Sequence, residues 1–192
     1  MKTKPMRQSE SLTARGGRGR LGRLLSVVAL GVAGAAVLAA CGGPAQSLSA
    51  NQVLSAGIAA QRAGNFGVAT SDYAQVLRVE PKNAYALYDL GDVEQFQHQA
   101  AAAATHYQQA LAVQPRMENA LYNLAILDSS SAPATAKALY LQVIAMSPRD
   151  AVARLNLGRV LLSLGEKKSA DAQINLAVNL QPSLKTVAPP TP

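Results

Sequence analysis

The sequence predicts an all-α solenoid of four stacked helix pairs, and three observations predict it. Four prolines, Pro81, Pro115, Pro148 and Pro182, follow one another at intervals of 34, 33 and 34. Each closes an apolar stretch of helical character: YAQVLRVEP, YQQALAVQP, YLQVIAMSP and INLAVNLQP. Composition agrees, because hydrophobic residues make up 49% of the chain and aromatics only 4%, with no Trp. Ala and Leu dominate, which suits closely packed helices better than a core of large rings. A fixed period in this range marks units that each bury one face against the next.

Other residues recur in the same register. Gly57, Gly91 and Gly158 stand 24 before their prolines. Ala125 takes that place in the third unit, which is one residue short. Ala69, Ala103, Ala136 and Ala170 stand 12 before, and Tyr73, Tyr107, Tyr140 and Ile174 stand 8 before. Helix pairs are expected at 50–63/66–79, 84–97/100–113, 118–128/134–146 and 151–164/167–180, within units 50–83, 84–117, 118–150 and 151–184. Proline ends the second helix of each unit, since it lacks an N–H and clashes with a continued turn. Gly64 and Gly165 fall between paired helices, where a left-handed residue is useful. The third turn reads Asp128-Ser-Ser-Ser-Ala-Pro133 and is expected to be locally distorted.

The N-terminal segment has another character. Residues 1–23 are polar and basic, and residues 24–40, LLSVVALGVAGAAVLAA, carry no charge. Of the net charge of +7, +6 precedes Cys41, so the remainder is nearly neutral. A nucleic-acid partner therefore has no electrostatic support. A basic start, an apolar run and small residues before a boundary describe an export signal. Leu38-Ala39-Ala40-Cys41 resembles the lipobox of bacterial lipoproteins. That resemblance implies cleavage before Cys41, a lipid on its thiol and a place in the bacterial cell envelope on the extracytoplasmic side. An uncleaved membrane helix is the alternative for 24–40, although seventeen residues rich in Ala and Gly lie at the short end of the spanning range. Met6 offers a second start. The segment 41–49 would be a lipidated N-terminus and linker, whose eight residues after Cys41 reach roughly 26–29 Å when extended. The end, 183–192, is Pro-rich and expected to be disordered.

Over roughly 50–182, the recurring Gly, Ala, Tyr and Pro positions resemble the tetratricopeptide repeat. The resemblance implies a right-handed solenoid with first helices on a concave face that binds protein or peptide. It implies close helix approach at the Gly57 position and gap filling by the Tyr73 aromatic. The chain departs from the family where Val53, Leu87, Leu121 and Arg154 replace an aromatic. Family groove positions fall on Tyr85, Tyr88, Asp89 and Asp92 in the second unit, and on Asn119, Tyr122, Asn123 and Ile126 in the third. In the fourth they fall on Val152, Leu155, Asn156 and Arg159. Asn123 and Asn156 occupy the place from which family members often hold a peptide backbone, outside the repeat core. The family's carboxylate clamp is not matched, because Leu54 and Ile58 stand at its first lysine and asparagine. Asp89 and Asp92 point instead to a basic ligand segment.

No catalytic constellation is evident, and neither cofactor nor metal is expected. His98 and His106 are eight apart, not a familiar ligand spacing, and read as surface residues. The single cysteine excludes an internal disulfide or cysteine metal cage. The expected function is a membrane-anchored, non-enzymatic adaptor, which resembles pilotin-like and envelope-assembly lipoproteins. A hydrolase or metal-dependent protein, tested by activity and metal content, and a purely structural spacer, tested by pull-down, are the alternatives. The last helix carries Ile174, Leu176, Ala177, Val178 and Leu180 on more than one stripe. It is therefore expected to leave an apolar surface for self-association or partner docking, unless the tail from Ser183 covers it.

Overall fold

The structure is a computed structural model that describes residues 48–189. The export signal, Cys41 and most of the linker lie outside the described residues, as do residues 190–192. Four helix pairs follow one another: α1 (Ala50–Arg62) with α2 (Phe66–Val79), α3 (Ala84–Phe96) with α4 (Ala100–Val113), α5 (Glu118–Ser131) with α6 (Pro133–Met146), and α7 (Ala151–Ser163) with α8 (Lys167–Leu180). A 3-10 turn, Pro182–Thr186, follows α8. Each helix packs most extensively on the other member of its pair. The second helix then packs on the first helix of the next pair. First helices also touch directly, α1 with α3 and α5 with α7, so they line the inner side of the stack.

Local sequence sets the helix ends. Ser49 caps α1 in a reciprocal pair with Gln52, while Asn83 and Asp150 accept hydrogen bonds from the first backbone N–H groups of α3 and α7. These contacts satisfy donors that a helix start leaves open. Between paired helices the chain turns through Gly64 (φ 77°), His98 (φ 62°) and Gly165 (φ 78°). The turns close alike: the amides of Asn65, Gln99 and Glu166 donate to the carbonyls of Ala60, Glu94 and Leu161. His98 holds this left-handed conformation with a Cβ, which costs roughly 1–2 kcal/mol.

The third turn differs from its expected form. The serine run is the last turn of α5, with Ser129 Oγ donating to the Ala125 carbonyl at 2.6 Å. Ala132 alone then joins α5 to α6, whose first residue is Pro133. The short unit thus loses its residue from the connection rather than by distorting a helix. Pro133 is suited to the first helical position, where its missing N–H would be unpaired anyway.

The pairs close on small residues. A Cβ at Gly57 would lie 2.7 Å from the Tyr73 ring, and one at Gly91 would lie 2.9 Å from the Tyr107 ring. At Gly158 it would lie 2.5 Å from Ile174. Ala69, Ala103, Ala136 and Ala170 answer from the second helices and are completely buried. Tyr73 fills the space within its own pair and also packs on Leu90 and Val93 of the next. The chain past Pro182 is structured through Thr186, correcting the expected disorder over this part of the tail. Leu184 and Ala188 pack on Leu155, Ile174 and Ala177 and cover that apolar end. Of the apolar residues of α8, Ile174 and Ala177 are buried, whereas Leu176 and Leu180 stay exposed.

Ala103→Leu should destabilise the stack by about 1–3 kcal/mol, since the added methylenes have no space between α3 and α4. Thermal unfolding followed by circular dichroism at the helix band checks this. An unchanged melting temperature would contradict the close approach at Gly91.

Candidate functional site

On the inner face, side chains of consecutive units come within hydrogen-bonding reach. Gln61 Nε2 of α1 donates to Asp92 Oδ2 of α3 at 2.6 Å. Asn123 Nδ2 of α5 donates to Tyr107 Oη at 3.2 Å and reaches Tyr88 Oη at 3.4 Å and Asp92 Oδ1 at 3.5 Å. Asn156 Nδ2 of α7 donates to Tyr122 Oη of α5 at 3.0 Å. Beneath this row the buried tyrosines find acceptors: Tyr73 Oη donates to Gln61 Oε1 at 2.6 Å and Tyr107 Oη to Gln95 Oε1 at 2.8 Å. Ser129, in the register of Gln61 and Gln95, stands beside the Tyr140 hydroxyl. In the fourth unit Ile174 replaces the tyrosine and Leu162 replaces its acceptor, and the two pack together. Hydroxyl and acceptor are lost at once, so neither is stranded in the core.

The residues expected from sequence are dispersed among three roles. Tyr85 is 60% exposed and Asn119 is also exposed, and neither makes a side-chain hydrogen bond to another described residue. Tyr88 and Tyr122 are half-buried, their rings against Tyr107 (centroids 5.7 Å apart) and Tyr140 (5.9 Å). They offer only part of the expected apolar surface. Leu155 belongs to the core at 2% exposure, correcting its placement in the groove. The tail covers it where a next helix would have stood. Asn123 and Asn156 do face inward, but their amide N–H groups are engaged in joining successive units. Both lie outside the buried core, as expected, yet each ties its unit to the one before. Arg159 is exposed, and its Nη2 donates to the Val187 carbonyl at 2.7 Å, so the tail reaches the inner face. His98 is exposed as expected, whereas His106 is half-buried with Nδ1 2.6 Å from Glu94 Oε2.

Two hollows open along this face. One, about 350 Å³, lies among Ile126, Tyr140, Asn156 and Arg159. The other, about 500 Å³, lies among Gln61, Phe66, Asp89, Asp92 and Phe96. Sequence reasoning missed Gln61, Phe66 and Phe96. The even spacing of Gln61, Asp92 and Asn123, an interval of 31 from each to the next, is a signal for the first. The phenylalanines are the only two in the chain, but their stacking at 4.5 Å between centroids has no sequence signature.

The second hollow is electrostatically loaded. Burial, and then the charge of Asp92, push the Asp89 carboxyl up to about 6. Burial also raises Asp92, opposed by the Gln61 hydrogen bond. Burial and these two carboxylates push the Tyr88 hydroxyl up to about 12. The two carboxylates lie one helical turn apart and half out of water, so burial disfavours the charge of both, and Asp92 adds to this at Asp89.

A family model of the tetratricopeptide repeat matches residues 54–95, 88–127 and 130–183. The chain belongs to the tetratricopeptide repeat family. No relative among curated proteins matches its sequence. Solved structures share the fold. "Crystal structure of YrrB: a TPR protein with an unusual peptide-binding site" is 18% identical, with a TM-score of 0.67 over 70% of each chain. A "Crystal structure of MamA" is 19% identical, with a TM-score of 0.64 over 72% of this chain and 81% of that one. "MamA 41-end from Desulfovibrio magneticus RS-1" is also 19% identical, with a TM-score of 0.63 over 71% and 78%.

The raised Asp89 value gives a pH signature. Below its ordinary value of 3.8 the group is neutral, folded or unfolded, and its full favourable contribution is present. As pH rises through about 6 that contribution is lost, because the folded chain must then carry the charge. Asp89→Asn should therefore melt above the wild type at pH 7, with the gap closing below about pH 4. Melting curves across pH 3.5–8 check this, and a gap independent of pH would contradict it.

Proposed function

We propose that this protein is a lipid-anchored scaffold of the bacterial cell envelope, holding an extended segment of a protein partner along its inner face. In this reading it is a non-catalytic adaptor of the envelope-assembly or pilotin-like kind, tethered through Cys41 on the extracytoplasmic side. The carrying observation is the inner face itself. It presents two hollows with carboxylates at one end and Arg159 at the other, and the repeat register adds the exposed Tyr85 and Asn119. Exposed Tyr offers rigid amphipathic contact area. The Asn123 and Asn156 carbonyl oxygens can accept from a ligand backbone while their N–H groups hold the stack together. The uneven charge suits a ligand with a basic segment. YrrB is described as having a peptide-binding site, which supports peptide as the ligand class here. Leu176 and Leu180 of α8 form a narrower second strip for self-association. For the anchor, support comes from the basic leader, the uncharged run and the Leu38–Cys41 pattern.

Cys41→Ala should block incorporation of labelled fatty acid and leave unprocessed precursor in membranes. An unlabelled wild-type chain with its leader intact, seen by mass spectrometry, would refute the anchor. For the inner face, Tyr85→Ala with Asn119→Ala is the cleaner variant, because neither side chain hydrogen-bonds within the stack. Partner recovery from crosslinked cells should fall at least about fivefold, for a loss on the order of 1 kcal/mol or more, with the melting curve unchanged. Equal recovery by wild type and variant would move the binding surface elsewhere.

A further inference from the structure

The four units are built on one pattern, and a few positions of the first two units carry chemistry that no other unit repeats. Asp89 corresponds to Ser55, Asn123 and Asn156, and Asp92 to Ile58, Ile126 and Arg159. Phe96 corresponds to Arg62, Ser130 and Ser163, and Phe66 to Ala100, Pro133 and Lys167. Each set differs in chemistry, yet all four departures meet around the one hollow of about 500 Å³.

From this convergence we infer that the hollow is a subsite for one cationic side chain of a peptide partner, an arginine or a lysine. Its charged head lies against Asp89 and Asp92, and its aliphatic stem lies along the Phe66–Phe96 pair. The inference rests on the inner-face reading above and names the ligand chemistry at one end of it.

The physical case has three parts. Among the described residues neither carboxylate has a lysine or arginine nitrogen within 4 Å, although Arg62 also lines the hollow. Asp92 already accepts from Gln61, whereas Asp89 accepts no side-chain hydrogen bond among those residues, leaving its oxygens for an incoming donor. A cation there would offset the burial that raises both carboxyls and the repulsion that Asp89 feels from Asp92. Second, Phe96 is 66% exposed and stacked on Phe66, a ring surface that the core does not use. An ammonium or guanidinium is attracted to such a face, and the methylene stem buries on it. Third, the walls select an organic cation. A calcium-like ion takes six to eight oxygen ligands, and two aromatic rings supply none.

Because Phe66 and Phe96 are the only phenylalanines in the chain, ring-13C phenylalanine labels this hollow alone. The whole chain, labelled and held in detergent micelles, would be titrated with N-acetyl-arginine N-methylamide. Its neutral citrulline counterpart, equal in size, would serve as the comparison. Both ring signals should move saturably with the arginine probe, and citrulline should bind at least about tenfold more weakly. Asp89→Asn with Asp92→Asn should remove the preference for arginine. Phe96→Ala, which alters only an exposed side chain, should weaken arginine binding while the fold and the Phe66 signal persist. No response to arginine, an equal response to citrulline, or a preference that survives loss of both carboxylates would overturn the subsite. If that happens while partner recovery still depends on Tyr85 and Asn119, the inner face stands and only the cation subsite falls.

Discussion

Everything in this stack depends on how closely two helices of a pair approach beneath one large side chain. Gly57, Gly91 and Gly158 leave no space for a Cβ, because Tyr73, Tyr107 and Ile174 occupy it. That contact sets the separation in three of the pairs, while in the third the buried Ala125 brings a Cβ to the same register. A tyrosine in this place brings a hydroxyl into an apolar interior, where an unpaired polar group costs on the order of 1–3 kcal/mol. Gln61 and Gln95 meet that demand from the first helix, twelve residues earlier in sequence. The Ile174–Leu162 pair shows the same site solved without polarity.

The hydroxyl solution has a consequence for the inner face. Gln61 commits its carbonyl to Tyr73 and its amide to Asp92, so the interior of one pair is linked to the first helix of the next. Asn123 extends the link to Tyr107 and Asn156 to Tyr122. The surface proposed to receive a partner and the surface that joins the units are therefore one row of side chains. A change at Asn123 disturbs the joining of units, whereas Tyr85 and Asn119 make no side-chain hydrogen bond within the row.

The fold was legible in the sequence because its period is enforced by local physics. Proline stops a helix wherever it falls, and a glycine under a tyrosine recurs at a fixed distance from it. The third connection was less legible. Asp128-Ser-Ser-Ser reads as turn chemistry, yet in α5 Ser129 and Ser131 return their hydroxyls to carbonyls four residues back and continue the helix. The tail past Pro182 conceals its structure for a related reason. Its composition is that of a disordered segment, but it ends next to the uncovered Leu155, Ile174 and Ala177, and burial there gives Leu184 and Ala188 a place. The groove was legible only as a set of positions. Register identifies which residues face inward, but not whether a partner one repeat away has already engaged them.

The same distinction bears on the two aspartates. A position equivalent to Asp89 holds Asn in two other units, and Asn satisfies the geometry with no charge to desolvate. Burial lifts a carboxylate placed there above the ordinary range, the charge of Asp92 one turn away adds to the rise, and both work against the folded state at neutral pH. Nothing in the packing of α3 requires it, since the buried face of that helix is formed by Ala86, Leu87, Leu90, Gly91 and Val93. A residue that breaks the local rule without a structural gain is where function is to be sought. The exposed Phe96 breaks the opposite rule, by leaving an aromatic ring in water, and it does so beside the same carboxylates. The two violations are of opposite chemical kind, and one ligand type, an aliphatic stem ending in a positive charge, relieves both.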